Sequence, residues 1–297
     1  TQSRPRLLIT PHHPRRRAPN VVNGLGRTVS NWIGTNDTGA THSDPTGGGA
    51  TGNNMTCVSQ NVCDATGNLV KTIAMLTSTT GRATEYAYDW RNREVASESG
   101  ITVTLTSGVW TDDATQPTGH SHPITYSDLD NLGEATASYS YDGDGVTLAT
   151  DTYSSGVPDK PASTTLRAEA TTAYDDEGRA YQSTTFSVNA TGTVTMTGIV
   201  SNTFYDHDGN TLETITTGGM ATKMIYDGAG RVTATYTTDG GAVYNSGTPV
   251  LTWSAAGSVT NDIVLEQAEY TYDADGDVIM TTDRQRFHDD GTTTGAL

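Results

Sequence analysis

The chain has 297 residues, a formal net charge of −17 and 34% hydrophobic residues, with only three Phe. A surface this acidic argues against nucleic acid as a partner, because binding it requires a basic face that displaces counterions. No run of about eighteen apolar residues occurs, so no membrane-spanning helix is expected. The abundant Thr and Gly favour thin, extended β-structure over a thick core.

Residues 1–21 stand apart. Pro5, Pro11, Pro14 and Pro19 exclude a long regular element, and Arg15-Arg16-Arg17 forms a solvated basic run ahead of the first acidic residue, Asp37. This segment reads either as a basic arm that docks on an acidic neighbour or as an irregular terminus. Val22-Asn23-Gly24-Leu25-Gly26-Arg27 then has the form of a turn, and Thr28 to Ile33 of its return strand. Residues 34–54 are a polar, Gly-rich insert. Met55 to Val62 and Leu69 to Met75 flank a turn at Asp64, and Thr84 to Tyr88 and Glu94 to Glu98 flank one at Asp89. Ile101 to Trp110 alternates, residues 111–123 form a second insert, and turns at Asp130 and Asp142 share the strand between them. Residues 155–163 are a third insert. Hairpins at Asp175, Asp206 and Asp227 follow, then an insert at 238–248, a last turn at Asp273 and a tail at 288–297. The array therefore spans 22–287.

The repeated unit is clearest in Met220 to Tyr236, where alternating strands flank Tyr226-Asp227-Gly228-Ala229-Gly230-Arg231. Period-two alternation on both sides of a Gly-containing turn predicts a β-hairpin. The Asp carboxylate can accept backbone N–H groups inside the turn, and Gly three residues on can take φ > 0. The same pattern recurs at Tyr88-Asp89, Tyr141-Asp142 with Gly145, Tyr174-Asp175 with Gly178, Tyr205-Asp206 with Gly209, Tyr226-Asp227 with Gly230, and Tyr272-Asp273 with Gly276. Asn92 replaces Gly in the first of these, and Asn tolerates φ > 0. Degenerate copies start at Asn23, Asp64 and Asp130. These residues are assigned a structural role in the turns.

This pattern resembles the YD repeats of the RHS family, whose consensus is close to Y-x-Y-D-x-x-G-R-L. Tyr86-Ala87-Tyr88-Asp89, Tyr139-Ser140-Tyr141-Asp142 and Tyr270-Thr271-Tyr272-Asp273 carry its first half, although the spacing is less even than the family's. The resemblance implies an all-β fold of tandem hairpins in a continuous, twisting and spiralling antiparallel sheet, shell-like or solenoid-like. RHS shells end in a core with an Asp-Pro-rich cleavage site and a toxin domain. The sole Asp-Pro here, Asp44-Pro45, lies in a Gly/Thr loop, so neither self-cleavage nor a toxin is expected in this segment. The chain starts without Met and stops without a cap, and is expected to be a segment of a longer protein or its processed form.

Candidate chemistry is sparse. Asp142-Gly143-Asp144, Asp206-His207-Asp208 and Asp273-Ala274-Asp275 resemble fragments of calcium loops but lack the terminal bidentate Glu. Turn formation already explains their Asp and Gly, so no cofactor or metal is assigned, calcium being the one candidate weighed. His120 and His122 alternate before Pro123 with no third ligand and read as a surface loop. Cys57 and Cys63 would lie roughly 20 Å apart on one strand, beyond the about 7 Å a disulfide spans. Asn36, Asn54 and Asn189 begin glycosylation sequons. No nucleophile elbow or phosphate loop occurs.

The expected function is therefore a non-enzymatic, extracellular or cell-surface scaffold, as a surface fibre or part of a hollow β-shell. Its partners would be further copies of the chain or the rest of a longer RHS chain. Two alternatives stay open: carbohydrate binding, with glycans stacking on Tyr86, Tyr88, Tyr139, Tyr141, Tyr270 and Tyr272, and a shell segment encapsulating an RHS toxin.

Overall fold

A computed structural model describes residues 18–113, 122–148, 156–195, 197–216, 218, 220–240, 244–245, 248–249, 253–291 and 293–297. The first seventeen residues of the basic arm, His120 and parts of the inserts at 111–123, 155–163 and 238–248 lie outside the described residues. The chain forms two units, one of residues 1–126 with 141–161 and the other of 127–140 with 162–297.

The first unit begins with β1 (Asn20–Val22), β2 (Thr28–Ile33), β3 (Thr56–Cys63), β4 (Leu69–Met75), β5 (Thr80–Tyr88), β6 (Glu94–Thr106) and β7 (Val109–Asp112). Each pairs antiparallel with the next. β8 (Pro123–Leu129) and β9 (Ala135–Asp142) follow, both crossing the division between units. β6 is long enough to pair twice: Val103–Thr106 with β7, and Ala96–Glu98 with the start of β8.

In the second unit a 3-10 turn (Ser163–Thr165) leads into β10 (Leu166–Tyr174), β11 (Ala180–Phe186), β12 (Ile199–Tyr205), β13 (Thr211–Thr216), β14 (Ala221–Tyr226) and β15 (Val232–Thr238). A two-residue pair, β16 (Tyr244–Asn245) and β17 (Thr248–Pro249), and the single-turn α1 (Trp253–Ala256) precede β18 (Val264–Tyr272) and β19 (Val278–Gln285). β10 to β15, β18 and β19 pair antiparallel in that order. The fold is all-β with tandem antiparallel hairpins, as the alternation predicts. Helix among the described residues is confined to α1 and the 3-10 turn.

The cores are thin, as the composition implies. In the first unit Ile73, Ala83, Ile101 and Val103 pack with Met75 and Trp110. In the second, Phe204, Ile215, Ala221 and Ala256 pack with Leu212.

Strand pairing runs past several composition boundaries. Asn20 and Val21, placed in the arm, pair with Asn31 and Ser30. Thr111 and Asp112 belong to β7, and Pro123 opens β8. Thr238 ends β15 and is fully buried, its hydroxyl satisfied by Asp262. In the 34–54 insert, polar side chains take over from strand pairing. Asp44 accepts from the N–H groups of Thr46 and Gly48, and Asn54 Oδ1 from those of Thr35 and Asn36.

Candidate functional site

The turns share one construction. In the Asp227 hairpin, Gly230 N–H donates to Asp227 O at 3.0 Å, and Asp227 N–H to Arg231 O at 3.0 Å. One carboxylate oxygen of Asp227 accepts from Ala229 and Arg231 N–H, and the other from Arg231 Nε. The register shifts by one between Ile225 and Tyr226, and Gly230 has φ 77°. This is a β-turn followed by a left-handed residue and a bulge, which aims the chain into the return strand. The same backbone pair recurs at Asn23, Asp64, Asp89, Asp130, Asp175, Asp206 and Asp273. Asn92 stands at φ 60° in the Asp89 turn. Backbone N–H groups accepted by the carboxylates hold Asp130, Asp175 and Asp227 below the usual aspartate range.

The copy at Tyr141 departs from this. Asp142 accepts from Asp144 N–H, but the backbone turn closes one residue later, from Val146 N–H to Gly143 O. Gly143 is buried against His122 O, which leaves no room for a side chain and shifts the turn. A further turn of the common kind is built on Asn189, whose Oδ1 accepts from Thr191 and Thr193 N–H. Sequence reading missed it, because Asn189 lacks the Tyr and Asp and suggested only a glycan acceptor.

Successive turns grip one another. In five of the turns the Tyr before the Asp donates its hydroxyl to the carbonyl of the residue that opens the preceding hairpin's return strand. Tyr88 donates to Leu69 O (2.8 Å), Tyr174 to Ala135 O (3.2 Å), Tyr205 to Ala180 O (3.0 Å), Tyr226 to Thr211 O (2.9 Å) and Tyr272 to Val232 O (2.7 Å). In three turns the side chain four residues after the Asp, Asn68, Arg179 or Arg231, reaches forward to the next turn. Asn68 Nδ2 donates to Asn92 Oδ1 (2.8 Å), and Arg179 Nη1 to Asp206 O (3.2 Å). Arg231 lies 4.6 Å over the Tyr272 ring, and Arg179 4.8 Å over that of Tyr205. Gly178 stands at φ 77°, with the Glu134 carboxylate beside it.

The six tyrosines considered for sugar stacking are largely engaged. Tyr88 and Tyr272 spend their hydroxyls on the ladder, Arg231 covers one face of Tyr272, and Tyr141 is buried. Tyr139 donates to Asp128 Oδ2 at 2.9 Å, and burial with this carboxylate pushes its hydroxyl pKa up. Tyr86 and Tyr270 are half-buried. His122 is not on a surface loop: it is 2% exposed, with Nδ1 3.0 Å from Asp144 Oδ1, because β8 and the Gly143 turn close over it. Asp144, Asp208 and Asp275 are exposed turn residues. Cys57 and Cys63 are free thiols at opposite ends of β3. No group of three or more His, Cys, Asp or Glu placed to hold a metal occurs among the described residues.

Each unit also sinks one lysine among carboxylates. In the first, Lys71 pairs across β4 and β5 with Glu85 and donates to Asp112 Oδ1 at 2.7 Å. Glu98, opposite Glu85, is pushed up to about 7 by burial and by the Glu85 charge. In the second, Lys223 lies opposite Glu213 across β13 and β14, and its Nζ is 2.8 Å from Asp262 Oδ2.

No protein-family model and no curated protein matches the chain. Among solved structures it is similar to a chain of TcdB2-TccC3-Cdc42 (TM-score 0.29, 11% identity) and to a chain of the Photorhabdus luminescens Tc holotoxin pore with a TccC3 variant (TM-score 0.29, 13% identity). Each match covers 91% of this chain but only 14% of the other.

Proposed function

We propose that the chain is a wall segment: a non-enzymatic scaffold of YD-type repeats, extracellular or on the cell surface, contributing to a hollow β-shell or a fibre. The observation that carries this reading is the ladder of turns. The residues that define the repeat spend their polar groups on their own turn and on the adjacent hairpin. An arrangement of this kind makes stability a nearest-neighbour sum and suits a mechanical wall. On this reading the partners are the remainder of a longer repeat chain or further copies, and containment of a toxin is the use such a wall would serve. Engagement of the tyrosines favours the wall over a sugar-binding surface.

Electron microscopy of the native protein, run beside a glycan array, tests the reading. Curved walls, hollow particles or regular filaments with no glycan signal are expected. Specific sugar binding by a compact monomer would move the assignment to adhesion.

A further inference from the structure

The turn ladder does not account for the cluster around Lys223. Lys223, Glu213 and Asp262 are 0%, 1% and 2% exposed. The lysine Nζ donates to Ala255 O at 2.8 Å and Ser258 O at 2.9 Å, and lies 2.8 Å from Asp262 Oδ2. Thr238 Oγ1 donates to the same Oδ2 at 3.0 Å and accepts from Gly240 N–H, so the carboxyl is fixed from a second side. The carboxyl carbon is one C–O bond beyond Oδ2, so the fold holds the amine and the carboxyl side by side in a fixed, dry pocket. Glu213 is the unexplained member. Its Oε1 is 3.9 Å from Nζ, and it is buried with no hydrogen-bond partner among the described residues. An ordinary buried ion pair has no use for a second, unsatisfied carboxyl.

The geometry points to an intramolecular amide bond between Lys223 Nζ and Asp262 Cγ, formed by the folded chain itself with Glu213 carrying the proton. Lys223 passes one proton to Asp262, giving amine and carboxylic acid, and the nitrogen attacks Cγ. Ionised Glu213 takes a second proton from the nitrogen and returns it to the departing hydroxyl, which leaves as water. One C–N bond forms and one C–O bond breaks. Nothing is oxidised or reduced, no co-reactant is needed, and Glu213 ends as it began. Burial raises the Glu213 carboxyl to about 7, against the opposing Lys223 charge and with that of Asp262, so it can accept and donate protons near neutrality. Amide formation also removes two buried charges, whose desolvation an ion pair must otherwise offset. The linkage would staple β14 to the segment entering β18 and close the insert between them. It does not depend on the scaffold reading.

Intact-mass spectrometry of the purified, folded and then denatured chain tests this. A mass one water below that of the sequence is expected, with tandem spectra placing the loss in a cross-linked peptide pair containing Lys223 and Asp262. A full mass overturns the proposal. So does a water loss mapped elsewhere, such as a succinimide at Asp227-Gly228. The Glu213→Gln variant, folded by circular dichroism, should retain the water; a cross-link formed equally well in it overturns the role given to Glu213. The wild-type measurement needs no variant, so a variant that fails to fold leaves the test intact.

Discussion

The two lysine clusters begin from the same device and end differently. Lys71 and Lys223 each sit in a strand directly opposite a glutamate, Glu85 and Glu213, and each takes an aspartate from a later segment, Asp112 and Asp262. Around Lys71, the side chains of Lys71 and Glu85 remain 15% exposed and that of Asp112 38%. Glu85, Glu98 and Asp112 line a cavity of about 290 Å³. Around Lys223, α1 and the residues after it lay two carbonyls on the ammonium and seal it. What differs is the cover, and the cover decides whether a lysine among carboxylates is a partly screened ion pair or a dry, high-stakes one.

Removing each lysine should expose that difference most strongly. Lys223→Met strands Asp262 and Glu213 without their cation and is expected to cost about 3–5 kcal/mol, more if the amide is also lost. Lys71→Met leaves carboxylates that water can reach and should cost about 1 kcal/mol or less. Urea denaturation followed by circular dichroism measures both. Equal losses would show that the cover over Lys223 has no energetic consequence.

The pH dependence sharpens the contrast from the other side. Burial above all pushes the Glu98 carboxyl up to about 7 in the fold against an ordinary 4.5, with the Glu85 and Asp112 charges adding to it and Lys71 opposing. Between those values the unfolded chain has released the proton and the fold still holds it, so stability must fall as pH rises from 4.5 to 7. Glu213 carries the same sign in the second unit. Asp175 and Asp227, held low, act oppositely: their contribution is present above 3.8 and lost as pH falls further. Thermal midpoints should therefore peak near pH 4 to 5. Glu98→Gln should flatten the decline above that by a few degrees, and an unaltered slope would count against the buried state of Glu98.

These clusters were invisible in the sequence, whereas the fold class was legible in it. Hairpins announce themselves because turn chemistry is local: an Asp, a residue able to take φ > 0 and alternation on both sides lie within one short window. Alternation in Thr222 to Tyr226 divides the strand into two faces but does not say which is buried. A lysine is among the last residues to be placed inside without its partners. Those partners, Glu213 and Asp262, come from a neighbouring hairpin and from the end of a long insert, so only the folded chain brings them together. The Tyr141 copy failed for a related reason. Its Tyr, Asp and Gly are in place, but the backbone of His122 pressing on Gly143 resets the turn by one residue. The Asn189 turn was obscured by the opposite cause, correct geometry from residues outside the repeat pattern.

A smaller effect than that at Lys223 tests what the units share. Tyr88 in the first and Tyr272 in the second each donate a hydroxyl to the carbonyl opening the previous return strand, at 2.8 and 2.7 Å. Phenylalanine keeps the ring and its packing and removes only that donor, so each substitution isolates one link of the ladder. A neutral hydrogen bond of this kind contributes about 0.5–1.5 kcal/mol, and both variants should fall in that range despite the contrast between the lysine sites. Tyr272→Phe keeps the Arg231 stacking on its ring, so that contact cancels between wild type and variant. Paired urea titrations of the two variants would measure this. A negligible change in both would mean that the hydroxyls do not couple neighbouring hairpins, and that the ladder rests on the Asp turns and the reach of Asn68, Arg179 and Arg231 alone.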